Sequence, residues 1–324
     1  MNEYEISIYK NSKDLPTLLQ GNFFHSLELF KITERVPSDT PLMVIATKHG
    51  EIVGQLFLAL HHHRTFFPPF IYTHAHAHGE GLYNPGADIN AIFPLMLHAV
   101  TRYLRHTTCL YIEFSDITKK MFGYRHFRKE GFFPVAWQEV YNSLHSKQPE
   151  ERISEKTMAQ IQHERAKNVD CHEARNEEEI KKFQQLYKNY YRLKLRRYVP
   201  PKEYFEEINK AEHAKLFVTT KGKKVIGGCT CMFTNDNAYL WHLASRRRRY
   251  ALLHPDTLTV WHAIKYAQQQ GCRHIRFMDV GLPWKKNPLR EFFLCFGGKP
   301  EAKLRWFRVS SKIFNKILKW IYKQ

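Results

Sequence analysis

The chain has little that points to covalent scaffolding or membrane crossing. Its six cysteines (Cys109, Cys171, Cys229, Cys231, Cys272, Cys295) form no CxxC pair. Most lie in apolar, strand-like runs, which suits reduced, buried thiols and argues against a disulfide framework. No apolar stretch approaches the roughly 20 residues that span a bilayer. The opening "MNEYEISIYKNSKD" lacks the basic-then-apolar order of a signal peptide, so a cytoplasmic protein is expected. Acidic residues are also scarce: 31 Asp and Glu against 50 Lys and Arg leave a net charge of +19. Such a field selects anionic partners, namely phosphate-bearing substrates, nucleic acid, an acidic carrier protein or an anionic membrane face.

What the chain does have is a repeat. "MVIATKHGEIVGQLFLAL" at Met43 to Leu60 is answered by "LFVTTKGKKVIGGCTCMF" at Leu216 to Phe233. Each is an apolar run, a Thr-Lys turn with a glycine (Gly50, Gly222), and a second apolar run containing Gly54 or Gly227, the pattern of a β-hairpin. The neighbours repeat in order. "HAV" at His98 answers "HAI" at His262, "CLYIEFSD" at Cys109 answers "CRHIRFMD" at Cys272, and "FRKEGFFP" at Phe127 answers "FLCFGGKP" at Phe293. The offset stays at about 163–173 residues, which makes this a duplicated domain and not a chance match. With 324 residues and 43% apolar content, two cores can be filled.

Within each copy the order is strand, helix, hairpin, strand, long helix, strand. The second long helix shows Leu258, Trp261, Ile264 and Ala267 at spacings of three, with Gly271 as its stop. This predicts an α+β fold of two mostly antiparallel sheets flanked by helices. The expected boundaries are residues 1–134 for the first domain, 135–168 for a bridging strand and helix, 169–310 for the second domain, and 311–324 for a basic amphipathic C-terminal helix.

The duplicated hairpin, "YLWHLASRR", "HAIKYAQQQGCRHIRFMDVG" and the closing "NPLREFFLCFGG" resemble the FemAB-like (BioF2-like) tandem GNAT acyltransferases over nearly the whole chain. The resemblance implies two GNAT-like domains and transfer of an acyl or aminoacyl group to an amine held in one cleft. The implied donor is acyl-CoA, an acyl carrier thioester or aminoacyl-tRNA, with no tightly bound cofactor. Two departures stand out. Where single-domain GNAT enzymes carry a glycine-rich loop for the coenzyme A pyrophosphate, this chain has "SRRRRYALLHPDTLTVW", and where relatives close on Phe-Lys-x-x-Phe-Gly it has Phe293 in place of the lysine.

Candidate catalytic residues are Asp279, Tyr239 and His242. Asp279 ends an apolar strand, where it either orients an attacking amine or caps a turn. Tyr239 and His242 lie on a strand that GNAT folds set along the cleft, where they either handle protons or form a cross-strand aromatic pair. Candidate substrate-binding residues are Arg192, Arg196 and Arg197 in "YYRLKLRRYVPP", the run Arg246, Arg247, Arg248 and Arg249, and Lys285 and Lys286. Arginine forks suit phosphate, while a solvated basic turn is the ordinary outcome. Residues His74, His76 and His78 alternate as metal ligands can, but no Cys or acidic residue sits at a matching spacing and no metal is expected. The leading expectation is an N-acyltransferase acting on an amine of an anionic, lipid-linked cell-envelope precursor. The alternative is a catalytically degenerate repeat that binds tRNA. The stripe Ile313, Phe314, Ile317, Leu318 and Ile321 beside four lysines fits either packing on its own domain or peripheral contact with the inner membrane face.

Overall fold

The computed structural model describes residues 3–64, 70–117, 122–192, 198–234, 236–246, 249–278 and 280–322. It divides into two compact units, Met1–Ala136 with Lys303–Gln324, and Trp137–Ala302.

The first unit runs β1 (Glu5–Tyr9), α1 (Leu27–Arg35), β2 (Asp39–Lys48), β3 (Glu51–Arg64), β4 (Ile71–His78), β5 (Leu82–Tyr83), α2 (Ile89–Arg105), β6 (Cys109–Ser115) and α3 (Tyr124–Lys129). Its chain leaves through β7 (Phe133–Ser143) into α4 (Pro149–Arg152) and α5 (Glu155–Ala166). The second unit continues with β8 (Val169–Glu173), α6 (Glu177–Tyr190), α7 (Lys202–Lys210), β9 (Ala214–Lys221), β10 (Lys224–Thr234), β11 (Asn237–Ser245), α8 (Pro255–Gln269), β12 (His274–Phe277) and α9 (Pro288–Leu294). Last come β13 (Lys299–Val309) and α10 (Lys312–Ile321).

The two units repeat one plan. The hairpin β2–β3 corresponds to β9–β10, and each is followed by a strand, a long helix and a strand returning parallel to the first, as β4 with β6 and β11 with β12. The remaining pairings described within each unit are antiparallel. Each unit is thus α+β, a mostly antiparallel sheet flanked by helices, as the repeat predicts. Gly54 and Gly227 repeat because a side chain would collide: a Cβ would lie 2.9 Å from Tyr83 in the first unit and 3.0 Å from Thr259 Oγ1 in the second.

One feature is absent from the linear repeat. The sheet of the first unit has the order β1-β2-β3-β4-β6-β13, so its last strand comes from the end of the chain, with Val309 opposite Tyr111 and Arg305 opposite Ser115. The second unit has β7-β12-β11-β10-β9-β8, so β7, which holds the strand expected as a bridge between the copies, pairs with β12 from His274–Ser143 to Phe277–Val140. Residues 303–309 thus belong with the first unit, although sequence spacing groups them with the second copy.

Each unit has its own core. Around the first sheet lie Leu56, Leu58, Phe93, Met96, Phe114, Phe127 and Trp306, all buried, with Trp306 stacked on Phe127 at 5.0 Å. In the second, Phe217, Trp261, Ile264, Phe277 and Phe293 form the centre. The predicted stripe of α8 is borne out, since Leu258, Trp261, Ile264 and Ala267 are all buried and Gly271 takes the left-handed φ of 75° just past the helix end. Five cysteines are buried free thiols, while Cys295 is exposed. Among the described residues no helix is long and apolar enough to cross a membrane.

Candidate active site

The second unit opens where two parallel strands part. Residues 237–240 of β11 pair with 274–277 of β12, ending at Leu240 opposite Phe277, while β11 runs on for five residues to Ser245. Beyond that point β11 is bulged. Pairing with β10 advances two residues from Gly228 to Thr230 but three from Ala244 back to Trp241. The extra residue leaves part of the backbone out of the ladder and turns the strand. His242 sits in the bulge at a φ of 47°, a region costly for a side chain other than glycine.

The side chains around it hold His242 in place. Its Nδ1 lies 2.8 Å from the Thr230 hydroxyl, its ring stacks on Trp241 at 5.0 Å, and Tyr187, Tyr204 and Phe205 meet it edge-on within 5.6 Å. The parting of the strands leaves a cavity of about 230 Å³, lined in part by Tyr191, Trp241, His242, Met278, Asn287 and Phe293.

The wall opposite β11 is a tied loop. Asn287 caps α9 by accepting the Leu289 N–H at 2.9 Å and donates to the Val280 carbonyl at 2.6 Å. The Arg290 guanidinium donates to the Leu282 and Lys285 carbonyls at 3.1 and 2.9 Å and also to Gln138 Oε1. Arg290 therefore holds the loop. Phe293 is 1% exposed and stacks on Phe277 at 4.4 Å, which gives the site an apolar floor.

The sequence-derived candidates fall into three groups. His242 lines the cavity, and Arg192, Lys285 and Lys286 are exposed next to the lining residues Tyr191 and Asn287. Arg246 and Arg249 are also exposed, in a turn where the Arg246 carbonyl accepts the N–H groups of Arg249 and Tyr250 at 3.0 Å. Tyr239 is 3% exposed, stands opposite Arg276 in the β11–β12 register, and is not among the cavity residues. Arg276 in turn binds Glu301 at 2.7 Å and Glu139 at 3.4 Å. Asp279, Arg196, Arg197, Arg247 and Arg248 lie outside the described residues.

Sequence reasoning missed Trp241, Met278 and Asn287. Only Asn287 left a signal, an N-cap asparagine before a proline at the first helical position.

The start of α8 bears on the donor. Pro255 has no N–H, the Thr257 N–H donates to the His254 carbonyl at 2.8 Å, and Asp256 places a buried carboxylate in the first turn. The positive end of this helix already faces the protein's own acid, and an added pyrophosphate would meet like charge there. The usual coenzyme A cradle does not fit these residues.

The equivalent place in the first unit is closed. Strands β4 and β6 stay paired to His78–Ser115, and the next residue, Gly79, donates its N–H to the Ser115 carbonyl at 2.8 Å. Glu80 follows, buried, accepting the N–H groups of Phe122 and Gly123. Burial pushes its carboxyl up to about 7. Phe24 covers His78 at 4.8 Å. The histidines nearby pack on one another: His63 Nε2 lies 2.6 Å from His74 Nδ1, and His76 Nε2 lies 2.8 Å from the Ser115 hydroxyl. Burial drives His63 and His74 well below the usual imidazole range. Among the described residues no three His, Cys, Asp or Glu side chains converge as metal ligands do.

Residues 156–286 match the acetyltransferase (GNAT) domain family. No curated protein sequence matches the chain. Among solved structures, FemX matches with a TM-score of 0.60 at 14% identity, covering 97% of this chain and 96% of that one. A tandem GNAT protein from the clavulanic acid biosynthesis pathway matches with a TM-score of 0.57 at 11% identity over 88% and 87% of the two chains. L-PGS from Bacillus licheniformis gives 0.54 at 9% identity over 84% and 90%.

Proposed function

We propose that this chain, which shares the tandem GNAT fold of FemX and whose residues 156–286 match the GNAT acetyltransferase domain family, is an N-acyltransferase whose reaction takes place in the cleft of the second unit. The observation that carries the reading is the parting of β11 from β12 at Leu240 and Phe277, with a bulge at His242 beside the cavity.

In the proposed reaction an acceptor amine attacks the carbonyl carbon of a thioester or ester donor. The tetrahedral intermediate expels the thiol or alcohol, which gains a proton as the nitrogen loses one. His242 takes the amine proton, with Asp279, which lies outside the described residues, as the second candidate for that task from the sequence. Thr230 fixes the imidazole against Trp241. Orienting the two reactants supplies most of the remaining acceleration, so a covalent nucleophile is not required.

For the acceptor we favour an amine on a phosphate-bearing, lipid-linked envelope precursor. Arg192, Lys285 and Lys286 supply cations beside the lining residues, and the fold is shared with FemX. For the donor, the residues at the start of α8 argue against coenzyme A bound through its pyrophosphate and favour an acyl carrier thioester or aminoacyl-tRNA. Incubation with acetyl-CoA, longer acyl-CoAs, acyl carrier thioesters and aminoacyl-tRNA, read by mass detection of a new amide, tests this. A product with carrier or tRNA donors and none with acetyl-CoA is expected. Efficient use of acetyl-CoA by the natural chain would overturn the donor assignment.

A further inference from the structure

The helix α10 is attached to the first unit by the wrong side for an ordinary packed helix. Asn315 accepts the Val309 N–H at 2.9 Å and donates to the Gly131 carbonyl at 3.0 Å, and Tyr322 stacks on Phe133 at 5.9 Å. The Lys319 ammonium is pushed below its usual range by desolvation and by Arg308. These residues share one face at 100° per residue, and it is the polar one. On the other face Ile313 is 72% exposed, Phe314 64%, Ile317 47%, Trp320 76% and Ile321 57%, and the helix buries no residue. Of the two sequence-based expectations for this stripe, packing on its own domain does not describe these five side chains.

We propose that α10 is an in-plane anchor that docks this protein on an anionic lipid surface. Three observations select lipid as the occupant. Lys312 and Lys316 lie on the border next to Trp320, where long cationic side chains can reach headgroups while the apolar face enters the acyl boundary. Further exposed apolar residues stand at the same end of the sheet. Leu110, whose carbonyl accepts the Ser310 N–H, is the second residue of β6, and Phe70 and Ile71 stand at the start of β4, parallel to it. Finally, the chain carries +19, and joining two copies through this helix would bring their lysine rows together, whereas anionic lipid is attracted by each of them. At ten residues the helix lies in the interface and does not cross it.

The test is co-sedimentation of the full chain with phosphatidylcholine vesicles, with and without about a third phosphatidylglycerol, at low and high salt. Three proteins are compared: the natural sequence, Ile313→Asp with Ile317→Asp, and Lys312→Gln with Lys316→Gln. The natural chain should bind phosphatidylglycerol vesicles and weaken with salt. The aspartate pair should lower binding more than about tenfold, and the glutamine pair several-fold on anionic vesicles only. All three should melt together, because the altered side chains are exposed. Equal binding by all three, or none to phosphatidylglycerol, overturns the proposal. So does a natural chain that light scattering finds dimeric, with the aspartate pair monomeric and neither bound to vesicles. These arms read binding and not turnover, so they stand apart from the reaction assigned to the cleft.

Discussion

Glu164, on α5, is fully buried, both its carboxylate oxygens lack a hydrogen-bond partner among the described residues, and it feels the negative charge of Asp256 at the start of α8. Burial is the larger cause and Asp256 the smaller, and together they raise its carboxyl from 4.5 to about 8. In the unfolded chain the group titrates at its ordinary value. Between these two pKa values the native state keeps a proton that the unfolded state has lost, so stability falls as pH rises through that window. At 1.36 kcal/mol per unit, the loss accumulated by pH 8 reaches about 4 kcal/mol, against less than about 1 kcal/mol at pH 5. Glu164→Gln removes the titration. Its amide also carries a pH-independent burial cost, so the informative quantity is the change in its effect between the two pH values. Urea unfolding of both proteins at pH 5 and pH 8 should show the variant gaining on the order of 3 kcal/mol relative to the parent across that interval. A constant difference, or a relative loss at pH 8, would refute the view that Glu164 is held neutral in the fold.

Phe293→Ala should cost about 3–5 kcal/mol in thermal or urea unfolding, because it removes a buried ring stacked on Phe277. Thr230→Val keeps the shape but removes the group beside His242 Nδ1, so the pH–rate profile should shift and turnover fall while stability drops by only about 1–2 kcal/mol. Arg290→Lys cannot reproduce the fork onto Gln138, Leu282 and Lys285, and steady-state kinetics should show KM rising more than kcat falls. Lys285→Ala with Lys286→Ala should raise KM for an anionic acceptor and flatten its salt dependence, with no change in melting temperature.

Much of the architecture was legible because the duplication writes each element twice. The paired hairpins, the stripe Leu258, Trp261, Ile264 and Ala267, and the turn glycines Gly50 and Gly222 all follow from local periodicity and backbone conformation. Properties that depend on pairing were not legible. The sequence marks a bridging strand from residue 135 but none at Lys299–Val309, and the partners of these two strands, β12 and β6, lie more than a hundred residues away. The bulge at His242 exists only as a mismatch between β10 and β11, so no window along one strand contains it. The apolar stripe of α10 is visible on a helical wheel, but which side meets the protein is set by Asn315, Gly131 and Phe133. At the site, His242 could be named from its place on the strand, whereas Trp241, Met278 and Asn287 reach the cavity only through the parting of β11 from β12.

The central claim is that acyl transfer belongs to the open cleft of the second unit and not to its closed counterpart. It is tested most directly by amide formation, measured by mass with the donor panel above, for three full-length proteins of checked melting temperature: the natural chain, His242→Ala and Asp116→Asn. Product from the natural chain and from Asp116→Asn, with a loss of about a hundredfold or more in His242→Ala, is the expected result. Undiminished product from His242→Ala together with loss in Asp116→Asn would contradict the account.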